Sequence, residues 1–228
     1  MKILGINCMN HDASMSVVDY SSGIGEVLWA AHAERYSKVK NDHYLNWAIV
    51  NEAMTYGPFD KVVYYEKPWL KKTRQLYAGQ WADAFSYTEM PQWHLDHFKI
   101  KIDEYVKHHD SHAAAGYFTS PFREATILTV DAIGEWDTVS ISTADKVWIE
   151  RKETIKYPHS IGILYSAFTH RCGLKPAEEE YILMGMAAYG EPKYKEDIYN
   201  DFVHQSPFKL KKNLHRGLSE WHPEADPM

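Results

Sequence analysis

The sequence predicts an α/β fold with a mixed central sheet, and the order of its hydrophobic runs is the main reason. Three β-rich runs near the N-terminus are followed by a helical pattern and a further β-rich run, and a second set of short β-rich runs is followed by two helical patterns. Strands joined by tight turns pair antiparallel, whereas strand, helix and strand in succession predict a parallel crossover. At 228 residues, of which 45% are hydrophobic, the chain is long enough to bury a sizeable core.

The N-terminal elements follow from hydrophobic runs and turn residues. Apolar side chains recur at helical spacing from residue 43 to 56, and Gly57-Pro58 then introduces a β-rich run. A polar corner, Asn10-His11-Asp12, separates the first two apolar runs, and corners of this kind commonly hold phosphate. The predicted elements are strands at residues 2–9, 13–19 and 26–33, a helix over 43–56 and a strand over 59–65.

The rest of the chain alternates in the same way. Residues 69–93 are aromatic and less regular, and residues 98–106 lead into a histidine-rich helix that Asp110 could cap. The later predicted elements are a helix over 111–118, strands at 125–131, 138–142 and 147–152, helices over 160–172 and 177–189, and a short strand at 208–210. Residues 219–228 carry no periodic signal and are predicted to form a loose tail.

Composition excludes several classes of function. A net charge of -6 gives no bias toward polyanions, so nucleic acid is not an expected partner. Cys8 and Cys172 lie far apart and outside any paired motif, which argues against a disulfide framework or a zinc ribbon. The chain has no signal-peptide core and no apolar span of eighteen residues. We therefore expect a protein of the cytoplasm with no membrane partner.

The most informative pattern is the pair His108 and His112, four residues apart at the start of a predicted helix. Side chains at this spacing point the same way, so two imidazoles can converge on one ion. An acidic third ligand is available at Asp131, where an apolar run meets a glycine-containing turn. Such a ligand set suits Fe²⁺, Mn²⁺ or Zn²⁺ about equally. The alternative is chance, because thirteen histidines make pairs at helical spacing common.

Four stretches of the chain, in order, resemble the NodU/CmcH carbamoyltransferase family. The resemblance spans roughly residues 2 to 200, and four ordered motifs are far more specific than one. The stretches are ILGINCMNHDASMSVVD, AAHAERYSKVKND, HHDSHAAAGYFTSPF with VDAIGEWDT, and HSIGILYSAFTHRCGLKPAEEEYILMGMAAYGEPKY. One departure is Ala132, which stands where the family usually has glycine.

The resemblance implies a lobe of the actin-like ATPase (ASKHA, ribonuclease H-like) fold, with flanking helices on a mixed central sheet. It places His108, His112 and Asp131 at the metal-ligand positions of the family and favours iron. It also implies ATP or carbamoyl adenylate as a bound nucleotide. The implied activity is transfer of a carbamoyl group from carbamoyl phosphate, via carbamoyl adenylate, to an acceptor hydroxyl.

Candidate roles follow for the other matching positions. His11 could be the general base, since imidazole titrates near neutrality, and Asp12 could orient it or bind the acceptor. Fixed positive charge at Arg35 and Lys40 suits a phosphate or carbamoyl contact. The alternative for His11 and Asp12 is a polar turn without a catalytic role, and the alternative for Arg35 and Lys40 is a solvated basic turn. Two further candidates, for a nucleotide contact, are Gly134 and Gly185, although Gly185 could instead let two helices pack closely.

Family members are much longer than this chain. We expect residues 1–205 to form the N-terminal lobe, with residues 206–228 a tail or the start of the next segment. The resemblance covers neither the second lobe, which would supply another metal carboxylate, nor the YrdC-like domain that makes the carbamoyl adenylate, so we expect both to lie outside these residues. A second chain carrying them is therefore an expected partner, unless the chain is a domain truncated from a longer protein. The alternative function is a noncatalytic metal- or nucleotide-binding module that acts through a partner protein.

Overall fold

The computed structural model describes residues 1–214. The chain divides into two compact units, Met1–Pro121 and Phe122–Met228. This division falls inside the predicted lobe of residues 1–205, whose boundary stays a prediction. The predicted loose tail at 219–228 lies outside the described residues.

The first unit is built on a five-stranded sheet in the order β3-β2-β1-β4-β5. Strands β1, β2 and β3 pair antiparallel, whereas β4 pairs parallel to β1 and β5 parallel to β4. The strands are β1 (Lys2–Asn7), β2 (Ser14–Asp19), β3 (Glu26–His32), β4 (Lys61–Tyr64) and β5 (Glu104–Tyr105), and the helices are α1 (Glu34–Ser37), α2 (Trp47–Met54), α3 (Pro68–Tyr77), α4 (Trp81–Phe85), α5 (Pro91–Asp96) and α6 (His108–Phe118). The predicted meander, the crossover and the mixed sheet with flanking helices are confirmed.

The core of this unit lies on one face of the sheet. Side chains alternate between faces along a strand, and those at Leu4 and Ile6 of β1 and at Met15 and Val17 of β2 are buried together. Helix α2 covers them with a stripe of apolar residues, namely Ile49, Val50 and Ala53. Asn46 caps this helix, because its side chain accepts hydrogen bonds from the backbone N–H groups of Ala48 (3.0 Å) and Ile49 (3.2 Å).

Two local expectations in this unit change. Residues 69–93, predicted only to be irregular, form the short helices α3, α4 and α5. Helix α6 begins at His108 rather than at Ser111, so both histidines are helical. Its N-cap is Lys107, and the prediction that Asp110 caps the helix is wrong. Asp110 instead lies in the first turn, where its negative charge stabilises the helix by interacting with the positive end of the helix dipole.

The second unit contains a three-stranded antiparallel sheet in the order β6-β7-β8 and a two-stranded one formed by β9 and β10. The strands are β6 (Glu124–Gly134), β7 (Asp137–Asp145), β8 (Trp148–Lys156), β9 (Val203–Gln205) and β10 (Phe208–Leu210), and the helices are α7 (Ile161–Arg171), α8 (Glu180–Ala187) and α9 (Lys195–Phe202). The predicted second meander, the two helices after it and the strand at 208–210 are confirmed.

Strand β6 continues past the point where the sequence predicted a turn. Its pairing with β7 shifts register between Val130 and Gly134, so residues 131–133 form a bulge rather than a turn. The turn comes at Glu135 and Trp136. Bulges re-aim side chains, and this one contains Asp131.

Helix α8 is apolar, yet none of its residues is buried among the residues that the structure describes. Tyr181 is 59% exposed, Met184 66% and Met186 55%. The N-terminal end is held by Glu180, whose carboxylate accepts hydrogen bonds from the Ser166 hydroxyl (2.5 Å) and the backbone N–H of Ala177 (2.6 Å). Within residues 1–214, no helix is at once long and apolar enough to cross a membrane.

Candidate metal centre

His108 and His112 converge as their spacing predicts. They lie one turn apart on α6, and their Nε2 atoms are 3.0 Å from each other. The ring centroids are 4.7 Å apart in an edge-on arrangement. His108 is buried at 7% exposure, whereas His112 is exposed. One imidazole is thus held rigidly inside the unit while the other faces the outside.

This distance fits two ligands of one ion. Imidazole nitrogens bind a divalent metal at about 2.0–2.1 Å, so two of them at right angles around the ion lie about 3.0 Å apart, and about 3.4 Å apart in a tetrahedral site. Without an ion, the same distance fits a single hydrogen bond, in which one neutral imidazole donates and the other accepts. The pair is therefore preorganised for a chelate without a change of backbone.

A buried carboxylate lies on the other side of the His108 ring. Glu66 lies two residues beyond the end of β4 and is only 5% exposed. Its Oε2 is 3.6 Å from His108 Nδ1, and its Oε1 is 3.3 Å from the ammonium of Lys71 on α3. Burial alone would raise the pKa of Glu66, but its interactions with the nearby His108 imidazole and with the charge of Lys71 outweigh burial and lower the pKa below its usual value.

The sequence reasoning missed Glu66 and Lys71. The available signal was the run KVVYYE, in which an acid directly follows a short apolar strand. Functional groups often gather at the carboxyl ends of parallel strands, and β4 is such a strand. The sequence alone could not show that α6 begins beside this end.

Asp131 and Gly134 both lie in β6 of the second unit, in and just after the bulge. The Asp131 carboxylate accepts a hydrogen bond from the backbone N–H of Ala132 at 2.6 Å. Ser160, the N-cap of α7, donates its hydroxyl to the carbonyl of Ala132 at 2.7 Å. The bulge is thereby tied to the start of α7. That Asp131 is a metal ligand and that Gly134 contacts a nucleotide stay predictions.

The polar corner between β1 and β2 pairs His11 with Asp12. The Nδ1 atom of His11 is 2.8 Å from Oδ2 of Asp12, and the two side chains are 64% and 37% exposed. Asp12 has a φ of 56°, a left-handed conformation that aspartate tolerates better than most residues. Asn7 stabilises the corner by donating its side-chain amide to the Asp12 carbonyl at 3.0 Å. The contact allows Asp12 to orient His11, and their catalytic roles stay predictions.

The remaining candidates lie elsewhere on the two units. Arg35 is on the short helix α1 and Lys40 follows it, and both are exposed. Lys38, between them, donates its ammonium to the Arg35 carbonyl at 2.7 Å. A Cβ added at Gly185 on α8 would meet no atom within 4 Å, so the described residues show no close helix packing at this glycine. Their contacts with phosphate or nucleotide stay predictions.

Comparison with known proteins supports the resemblance. A family described as the carbamoyltransferase N-terminus matches residues 83–218. An uncharacterized protein of Synechocystis sp. is 32% identical over 230 residues, covering 88% of this chain and 37% of that protein. The nodulation protein NolNO of Sinorhizobium fredii is 30% identical over 200 residues, covering 78% of this chain and 28% of that protein. The chain thus spans about a third of the length of these two relatives.

Among solved structures, the Ppx/GppA enzyme of Aquifex aeolicus aligns with 79% of this chain and 59% of its own, at 12% identity and a TM-score of 0.40. The family match is more specific, because it covers more than half of the chain and includes the histidine pair of α6 and the bulge of β6. On this match, the chain belongs to the carbamoyltransferase N-terminus family.

Proposed function

We propose that this chain is the metal-binding, N-terminal part of a carbamoyltransferase. In this reaction carbamoyl phosphate is hydrolysed to carbamate and phosphate, carbamate attacks the α-phosphate of ATP to give carbamoyl adenylate and pyrophosphate, and the acceptor hydroxyl then takes the carbamoyl group with release of AMP. The observation that carries the proposal is the convergence of the His108 and His112 Nε2 atoms, 3.0 Å apart, within a region that matches the carbamoyltransferase N-terminus.

His108, His112 and Asp131 would hold the metal. Two imidazoles and a carboxylate suit Fe²⁺, Mn²⁺ and Zn²⁺, and the family resemblance favours Fe²⁺. A divalent ion here would supply positive charge against a carbamoyl carbonyl or an adenylate phosphate, which lowers the charge penalty of transfer. The second lobe is proposed to supply a further carboxylate ligand.

The corner at His11 supplies a base. With the Asp12 carboxylate 2.8 Å from Nδ1, the ring proton is favoured on Nδ1, and Nε2 keeps its lone pair. That nitrogen can then accept the proton of the acceptor hydroxyl as the hydroxyl attacks the carbamoyl carbon. The exposure of His11 leaves it accessible to a bound acceptor.

Anion and nucleotide contacts complete the proposal. The exposed cations Arg35 and Lys40 are suited to the phosphate or carbamoyl group, because their charge opposes that of the leaving group. Gly134 and Gly185 are proposed to let the backbone approach the nucleotide, since glycine has no Cβ to obstruct it.

A partner carrying the second lobe and a YrdC-like domain is part of this proposal. The exposed apolar residues of α8 support it. Exposed apolar surface of this kind favours a protein contact. We assign the face formed by Tyr181 and Met184, which lie one turn apart on α8, to contact with the second lobe.

Carbamoyl transfer with carbamoyl phosphate and ATP tests the proposal. The chain, loaded with Fe²⁺, is assayed alone and together with a polypeptide proposed to carry the second lobe and YrdC-like domain, and that polypeptide is also assayed alone. The first choice for it is the part of the Synechocystis relative that this chain does not match. The polypeptide with the YrdC-like domain should by itself consume carbamoyl phosphate and ATP and release pyrophosphate, whereas we expect release of AMP, which marks transfer of the carbamoyl group to a hydroxyl compound or water, only in the mixture. Metal binding without transfer in any pairing would favour the noncatalytic module, and turnover by the chain alone would contradict the need for a partner.

A further inference from the structure

Glu66 is the one buried carboxylate in contact with the histidine pair among the described residues of the first unit. We propose that Glu66 is a positioning residue that fixes the tautomer of His108, so that its Nε2 lone pair faces the metal position. This inference rests on the proposed metal site. It assigns to Glu66 and Lys71 a role that neither the motifs nor the family match provides.

The position of Glu66 supports this role. Strand β4 pairs parallel with both β1 and β5, which fixes the direction in which the chain leaves the sheet at residue 65. Helix α6 starts three residues after β5, and its first turn brings the His108 ring beside the Glu66 carboxylate. Both side chains are less than 10% exposed, so water screens the contact only weakly.

Lys71 determines which carboxylate oxygen is available. Its ammonium lies 3.3 Å from Oε1 of Glu66, while Oε2 faces His108 Nδ1 at 3.6 Å. Glu66 thus bridges the two side chains: one of its oxygens pairs with the ammonium of Lys71, and the other is left to face one nitrogen of the imidazole.

The tautomer follows from this arrangement. A negative oxygen beside Nδ1 favours the proton on Nδ1, which leaves the Nε2 lone pair of His108 free of a proton. In the metal-free protein the 3.0 Å contact between the two Nε2 atoms is then a hydrogen bond donated by His112 to His108. A carboxylate behind a ligating histidine orients the ring and raises its basicity in the same way.

The two histidines are thus unequal. His108 already has the tautomer that a metal requires, whereas His112 must move its proton from Nε2 to Nδ1 before it can bind. Metal binding should change the tautomer of His112 and leave that of His108 unchanged. A purely structural Glu66 would not produce this asymmetry.

Nitrogen-15 NMR of the histidine rings tests the inference without any activity measurement. In metal-free protein at about pH 8, where most histidines are neutral, we expect His108 to be protonated on Nδ1 and His112 on Nε2. The variant Glu66→Gln should lose the Nδ1 preference at His108. The control is Glu104→Gln on β5, which removes an exposed carboxylate paired with Lys61 and should leave both tautomers as in the wild type.

Titration with Zn²⁺, which is diamagnetic, provides the second measurement. We expect Glu66→Gln to bind Zn²⁺ about 10- to 100-fold more weakly than the wild type or Glu104→Gln. Because Glu66→Gln leaves Lys71 without its anion, the double variant Glu66→Gln with Lys71→Met is measured alongside, with circular dichroism to confirm folding.

The outcomes separate the two proposals. If the wild type binds no metal, the proposed function fails. The positioning role is still decided, because the tautomer of His108 can be compared between the wild type and Glu66→Gln. If His108 carries its proton on Nε2 in the wild type, or if folded Glu66→Gln keeps both the wild-type tautomer and the wild-type Zn²⁺ affinity, the inference is wrong.

Discussion

Gly162 allows the start of α7 to lie directly against the bulge of β6. A Cβ built at this position would be 2.8 Å from the Cα and N atoms of Ala132 and 2.8 Å from the carbonyl oxygen of Asp131. Ordinary contact begins near 3.4 Å, so Gly162→Ala requires a displacement of about 0.6 Å. All three contacted atoms belong to the backbone, which cannot move aside as a flexible side chain can.

This clash sets the expected cost. Overpacking of this kind destabilises a protein by about 1–3 kcal/mol. Gly116 in α6 is a matched control, because a Cβ added there would meet nothing within 4 Å. Replacement of an open helical glycine by alanine stabilises by roughly 0.5–1 kcal/mol. The two substitutions, chemically identical, should therefore change stability in opposite directions.

Thermal unfolding and hydrogen exchange check this prediction together. For a unit of about 100 residues, 1 kcal/mol corresponds to roughly 4–8 °C in Tm, so Gly162→Ala should lower the transition of the second unit by about 4 °C or more. Amide exchange should accelerate in β6 and α7. If Gly162→Ala is as stable as Gly116→Ala and exchange in β6 is unchanged, the close approach of α7 to the bulge is not present in solution.

Two further predictions concern the first unit. His94 accepts a hydrogen bond from the Leu45 N–H at 3.1 Å. The pKa of His94 is lowered, mainly because its side chain is partly buried. The folded state therefore binds fewer protons than the unfolded state, and stability should fall as the pH drops below about 6.5, a dependence that urea titrations should show to be weaker in His94→Gln. Burial raises the pKa of the Cys8 thiol to about 12, so iodoacetamide at pH 8 should label exposed Cys172 and not Cys8 in the native protein, as measured by mass spectrometry. Labelling of both at equal rates would contradict the buried position of Cys8.

Much of the sheet could be predicted because its strands carry strong local signals. Leu4 and Ile6 alternate with Gly5 and Asn7, and this period-two pattern can bury only one face of a strand. The pair His108 and His112 could be predicted because one helical turn determines their convergence. Both predictions depend on neighbours within a few residues.

The features that escaped prediction depend on distant neighbours. The bulge at Asp131 arises where β6 pairs out of register with β7 and where Ser160 hydrogen-bonds to it from α7. Glu66 gains its significance from His108, 42 positions later in the chain. No local pattern reports such contacts, since they arise only when the strands and helices have packed.

The central claim is that α6 carries a metal site, and metal content tests it most directly. The chain is prepared with Fe²⁺ under anaerobic conditions, and the bound metal is measured by elemental analysis for the wild type, for His108→Ala, His112→Ala and Asp131→Ala, and for the control His32→Ala, which removes an exposed histidine on β3. We predict one ion per chain in the wild type and in His32→Ala, and loss of most of the metal in the other three variants. A wild type without metal, or unchanged content in His108→Ala and His112→Ala, would contradict the account.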